Sequence, residues 1–124
     1  MRILPLAFLI CLATRALAQR AVDIVEVRDN FIVAGIVAQK CNTTDPDRRE
    51  MHDRNFTIVS RNAMQKIISR GAPGSDPEEL RKQDLAHIEK LQDAAFNLVR
   101  VEGCKSDKVR QILRMHRMYE TVRF

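Results

Sequence analysis

The strongest constraint on the fold of this chain is a pair of distant cysteines that follows an apolar N-terminal segment. Residues 3–13 are almost entirely apolar and come after Arg2, and Ala16-Leu17-Ala18 has the form of a signal-peptidase cleavage site. A basic start, a short apolar stretch and small residues at such a site predict a secretory signal peptide. We therefore expect residues 1–18 to be a signal peptide and the mature protein to be exported, either periplasmic or secreted.

Export allows Cys41 and Cys104 to pair, because disulfides persist in oxidising compartments. The pair encloses a loop of roughly 60 residues, and closing a loop of this length stabilises a fold by about 4 kcal/mol through chain entropy. Neither a C-x-x-C motif nor a set of four zinc ligands accompanies these cysteines. We therefore predict a structural disulfide within one small domain, residues 19–124.

The charge of the predicted mature chain limits the classes of partner. Residues 19–124 contain 19 Lys and Arg against 16 Asp and Glu, a net charge of +3. A dedicated nucleic-acid binder concentrates more positive charge than this, so we expect no nucleic-acid partner. The apolar leader is shorter than the roughly 20 residues that cross a bilayer, so we also expect no stable membrane span.

The first segment after the leader, residues 22–39, is apolar and rich in β-branched side chains. We predict that it forms a helix. Alternation of apolar and polar residues at its start also permits a strand, so a β-hairpin that turns at residues 28–30 is the alternative.

Three further segments have apolar residues at helical spacing together with helix start and stop signals. Asp followed by Pro is typical of a helix N-terminus, and Gly is typical of the position after a helix. The predicted helices lie between Asp45 and Gly71, between Asp76 and Gly103, and from Ser106-Asp107 to about Val122. Short loops favour antiparallel neighbours. The predicted fold is all-α, a compact bundle of three to four antiparallel helices stapled by the Cys41–Cys104 disulfide.

The three histidines match no hydrolase or metalloenzyme motif, so we predict neither enzymatic activity nor a cofactor. His52 and His116 fall on the apolar stripes of their helices, where a histidine is more often packed in the core than a ligand. Asp84 and His87 are three residues apart on one helix, and we predict an ion pair between them at the edge of the core.

Methionine and histidine occur together twice, and thioether sulfur and imidazole are ligands that suit copper(I). The weak candidate ligands are Met51, His52, Met115, His116 and Met118. Methionine more often fills irregular gaps in a core. A small-ligand or copper-binding protein of the cell envelope is therefore the alternative function.

The most distinctive surface feature is the basic side of the fourth predicted helix. Arg110, Arg114 and Arg117 align along that side, opposite its apolar residues. Such a surface is either simply solvated or attracts an acidic partner. We predict a small exported helical protein that binds another envelope or secreted protein, such as an acidic one, as an accessory subunit, inhibitor or immunity-type protein. The sequence makes no prediction of oligomeric state.

Two Asn-x-Thr sequons are present, and glycosylation of such sites places a bulky group on a protein surface. They are Asn42-Thr43-Thr44 and Asn55-Phe56-Thr57. We interpret both as chance occurrences.

Overall fold

The computed structural model describes residues 22–124, so the predicted signal peptide lies outside the described residues. Four helices and one short 3-10 turn account for most of this range. Helix α1 spans Ile24–Lys40, the turn spans Pro46–Arg48, α2 spans Arg49–Arg70, α3 spans Pro77–Glu102 and α4 spans Asp107–Thr121. No strand occurs between residues 22 and 124. The all-α bundle is confirmed.

Three helices begin at polar side chains that accept a hydrogen bond from the first turn, which satisfies amide groups that lack a partner within the helix. Asp23 accepts from the Val25 amide, Asp76 from the Glu78 amide and Ser106 from the Val109 amide. Helix α2 differs from its prediction. Asp45 caps the 3-10 turn through the Asp47 amide, so the α-helical part begins three residues later than Pro46, at Arg49.

Helix α1 is continuous through residues 28–30, and the β-hairpin alternative is wrong. Its buried apolar residues, Phe31, Ala34, Val37 and Ala38, are spaced by three, three and one, which places them on one face of a helix. Packing of this face against the other three helices outweighs the low helix propensity of the β-branched residues. The centre of the bundle is therefore α1.

The core has two parts along α1. One part lies towards the C-terminal end of α1 and consists of Val37, Ala38, Ala95, Val109 and Leu113. The other part contains Phe31, Val59 and Tyr119, in which the rings of Phe31 and Tyr119 stack with centroids 3.9 Å apart. A polar cavity between α1, α2 and α4 adjoins this second part, where the ring of His52 lies 5.5 Å from that of Phe31.

The predicted disulfide is confirmed. Cys41 directly follows α1 and Cys104 lies in the turn between α3 and α4, with their Cα atoms 5.7 Å apart. The bond joins positions 63 residues apart, so it ties the end of the central helix to the start of the last one. Gly103, with φ of 77°, provides the left-handed backbone of this turn.

A buried ion pair connects α1 to α3. The two terminal guanidinium nitrogens of Arg28 donate to Asp84 at 2.7 Å, and Arg28 also donates to Asp29 at 2.9 and 3.0 Å. Asp29 in turn lies 2.6 Å from Nε2 of His87. The predicted Asp84–His87 pair is therefore wrong, because each of these side chains finds its partner across the interface on α1.

The Asn55 side chain ties α2 to the end of α4. Asn55 is buried, and its Nδ2 donates to the carbonyl oxygens of Tyr119 at 2.9 Å and Val122 at 2.6 Å. These carbonyls belong to the end of a helix, where no intrahelical amide reaches them. The Asn55 sequon is therefore closed to modification in the folded protein, whereas Asn42 is exposed.

Candidate functional site

A polar cavity of about 220 Å³ lies between α1, α2 and α4. It contains two of the three histidines and three carboxylates. Its principal lining residues are Gly35, Asp45, His52, Asp53, His116 and Glu120. The structure thus brings together His52 and His116, which are 64 positions apart in the sequence.

His116 is held by a carboxylate on its own helix. Its Nε2 lies 2.8 Å from Oε1 of Glu120, and both side chains are about 95% buried. Burial and, to a smaller extent, the nearby His52 together lower the pKa of His116 to about 4. The ring is therefore neutral at neutral pH, and we assign its single proton to Nε2, which donates to Glu120. The other nitrogen, Nδ1, then carries a lone pair.

His52 supplies a second ring to the same cavity. Its Nδ1 lies 3.4 Å from Oδ1 of Asp53, while its Nε2 is buried without a hydrogen-bond partner. The Nδ1 atom of His116 is also buried and unpartnered. The centroids of the two rings are 4.9 Å apart and the ring planes are tilted by 43°. Of the three unpartnered buried side-chain polar atoms between residues 22 and 124, two belong to this histidine pair.

Gly35 lies in the middle of α1 where the helix borders the cavity. A Cβ atom built on Gly35 would meet nothing within 4 Å. Glycine in a helix interior costs about 1 kcal/mol relative to alanine, and no close packing at this position requires it. The absence of a side chain here leaves the cavity space unfilled.

The methionines predicted as copper ligands do not line this cavity. Met115 packs against the core cluster that contains Phe31, and Met118 is 50% exposed in a separate open groove of about 1020 Å³. Met51 is half-buried. No group of three or more His, Cys, Asp or Glu side chains within the described range is arranged to enclose a metal ion. The sulfur part of the predicted copper set is therefore not assembled.

The basic face of α4, defined here as Arg110, Arg114 and Arg117, is exposed along its length. At 100° and 1.5 Å per residue, the three side chains span an arc of about 60° and a length of about 10 Å. None of them forms an ion pair with any residue between 22 and 124. The opposite side of α4, with Val109 and Leu113, is buried in the bundle.

Comparisons with protein-family models, with curated proteins and with solved structures each found no match. A function for this chain is therefore inferred from the chemistry and the arrangement of its side chains. No helix between residues 22 and 124 is long and apolar enough to span a membrane.

Of the residues that line the cavity, only His52 and His116 were candidates from the sequence, and two of the others carried a recognisable signal. Glu120 follows His116 by four positions on a predicted helix, and this spacing alone could have indicated a carboxylate–imidazole pair. Gly35 lies inside a predicted helix without an evident need for glycine, and this is a second signal.

Proposed function

We propose that the protein is exported and acts by binding an acidic protein through the basic face of α4. The observation that carries this proposal is the row of three exposed guanidinium groups with no acidic partner among residues 22–124. Aligned like charges repel one another until a partner supplies carboxylates. Arginine suits this task because its planar group binds a carboxylate with two parallel hydrogen bonds.

The burial of the apolar side of α4 favours a protein partner over a membrane surface. A basic amphipathic helix that binds a membrane inserts its apolar side into the interface. Here Val109, Leu113 and Tyr119 are buried within the bundle, so the main apolar face of α4 is not available for insertion. Proteins that act by binding in this way include accessory subunits, inhibitors and immunity-type proteins. We assign no catalytic activity.

Export is supported by the leader-like residues 1–18 and by the Cys41–Cys104 cross-link. Fractionation of source cells combined with thiol labelling tests this part. We expect a processed chain outside the cytosol whose two cysteines react with a thiol reagent only after reduction. An unprocessed cytosolic chain with two free thiols would contradict export.

Charge reversal tests the basic face. The triple variant Arg110→Glu, Arg114→Glu, Arg117→Glu should fold with an unchanged far-ultraviolet circular dichroism spectrum, because all three side chains are exposed. A partner is first isolated from the exported proteins of the source organism on the immobilised unaltered protein. We expect the triple variant to bind that partner at least tenfold more weakly, and binding of the unaltered protein to weaken with salt.

A matched control separates this surface from overall charge. Arg61, Lys82 and Lys90 are exposed, lie on α2 and α3, and form no ion pair within the described range. Reversing these three charges to Glu changes the net charge by the same amount as the basic-face variant. The control should retain the partner. Equal loss in both variants, or no loss in the basic-face variant, would refute the assignment of the surface.

A further inference from the structure

We propose that His52 and His116 bind one divalent transition-metal ion, such as Zn²⁺, in the cavity between α1, α2 and α4. The ligand atoms are the two buried ring nitrogens that lack a partner, Nε2 of His52 and Nδ1 of His116. Imidazole nitrogen is a preferred ligand for zinc, copper and nickel. Water and a group from outside the chain complete the coordination, which makes this an open site rather than a closed structural one.

The separation of the two rings fits a shared ion. A zinc ion lies about 2.1 Å from a bound imidazole nitrogen, and that nitrogen lies about 1.1 Å from the ring centroid, so each centroid is about 3.2 Å from the ion. Two centroids 4.9 Å apart then subtend an angle of about 100° at the ion, close to the tetrahedral value of about 109°.

Each ligand ring also has a carboxylate on its other nitrogen. Nε2 of His116 is 2.8 Å from Glu120, and Nδ1 of His52 is 3.4 Å from Asp53. Metal-binding histidines almost always donate their second N–H to a carboxylate, a carbonyl or water, which fixes the ring and raises its basicity. A buried ring nitrogen without a hydrogen bond destabilises the folded protein. A metal ion bound to that nitrogen removes this cost.

The surroundings of the rings favour a cation. The carboxylates of Asp45, Asp53 and Glu120 line the cavity, against a single cationic side chain, Arg49. Because three carboxylates face one arginine in this lining, a divalent cation reduces the local charge imbalance. The empty volume beside Gly35 gives the ion and its water ligands room and a route to solvent.

Titration of the purified, tag-free protein with Zn²⁺ tests the site, with isothermal titration calorimetry as the readout. We expect one ion per chain with micromolar affinity. Substitution of Co²⁺ should give the visible absorption bands of a metal bound to nitrogen ligands, and in nuclear magnetic resonance spectra the ring signals of His52 and His116 should shift on adding Zn²⁺. Absence of binding at millimolar Zn²⁺, or shifts confined to other residues, would overturn the site.

Variants locate the ligands. His52→Ala and His116→Gln should each weaken Zn²⁺ binding at least tenfold, whereas His87→Ala, which removes the histidine on α3 that does not line the cavity, should bind as the unaltered protein does. Equal binding by His52→Ala and the unaltered protein would refute the proposal. His116 is buried, so its variant is interpreted only if its circular dichroism spectrum is native.

Gly35 provides a test that leaves both histidines in place. Gly35→Leu puts a side chain into the cavity and should abolish Zn²⁺ binding, while Gly35→Ala adds only one methyl group, meets nothing within 4 Å, and should retain binding. Retained binding in Gly35→Leu with a native spectrum would show that any bound ion lies outside the cavity.

Discussion

Replacing Asp84 with leucine should destabilise the protein far more than breaking an exposed ion pair of the same length. Asp84 accepts both 2.7 Å hydrogen bonds from Arg28, and both side chains are at least 96% buried. Burial by itself lowers the pKa of Arg28, but the hydrogen bonds that Arg28 donates to Asp84 and Asp29 outweigh burial and hold that pKa above its usual value. Arg28 stays charged when Asp84 is removed, because an arginine side chain is not deprotonated in proteins.

The magnitude follows from the partner that remains. Leaving a buried charge without its partner costs about 3–5 kcal/mol, and Arg28 keeps its hydrogen bonds to Asp29, so we expect about 3 kcal/mol for Asp84→Leu. In a urea titration with an m-value of about 1.5 kcal/mol/M, the unfolding midpoint then falls by about 2 M. The double variant Arg28→Met, Asp84→Leu removes both charges and should lie within about 1–2 kcal/mol of the unaltered protein.

Arg81→Ala is the matched control, because Arg81 and Glu78 also form a 2.7 Å pair but are 47% and 71% exposed. We expect this variant to lose less than about 1 kcal/mol of unfolding free energy. Equal shifts of the urea midpoint by Asp84→Leu and Arg81→Ala would show that burial does not set the cost of breaking the pair. A double variant no more stable than Asp84→Leu alone would show the same.

Three further perturbations test other parts of the fold. Cys41→Ala with Cys104→Ala should lower the free energy of unfolding by about 4 kcal/mol, measured in urea, because the unfolded chain regains the entropy of its closed loop; a loss below about 1 kcal/mol would contradict this. Asn55→Ala should cost about 2 kcal/mol, because it leaves two helix-end carbonyls without a donor, and faster hydrogen exchange at the end of α4 checks it. Hydrogen bonds donated by Arg70 and by the Val25 amide lower the pKa of Asp23 below 3.8. The ionised Asp23 side chain therefore contributes its full stabilisation above the pKa of the unfolded chain, and this stabilisation is lost as the pH falls through the pKa of the folded protein. Asp23→Asn should therefore reduce the change of the urea midpoint with pH between about pH 2 and 5. An unchanged dependence of the midpoint on pH would contradict the pKa shift.

The sequence could predict the helices because their signals are local. Capping by Asp23, Asp76 and Ser106 involves residues two or three positions apart, and the glycines at positions 71 and 103 mark helix ends. The start of α2 was predicted too early because an Asp-Pro pair begins a 3-10 turn as readily as an α-helix. The choice between helix and hairpin for α1 depended on packing against three other helices, which no local pattern contains.

The contents of the candidate site could be predicted only in part. Periodicity placed His52 and His116 on apolar stripes, but which stripes meet depends on how the helices are rotated and paired. Met51 and Met115 adjoin these histidines in sequence yet lie outside the cavity, because neighbouring residues on a helix point about 100° apart. Arg28 and Asp84 are 56 positions apart, and nothing in the neighbourhood of either residue indicates the other.

The inward position of Asn55 bears on the choice of organism for recombinant production. Eukaryotic secretory hosts recognise Asn55-Phe56-Thr57 on the nascent chain, and an attached oligosaccharide is far too bulky for the protein interior. A chain modified at this nitrogen cannot close the junction between α2 and the end of α4, so such hosts should yield a misfolded glycoform beside the native product. Bacterial expression with export to an oxidising compartment avoids the misfolded glycoform and still permits the Cys41–Cys104 disulfide to form.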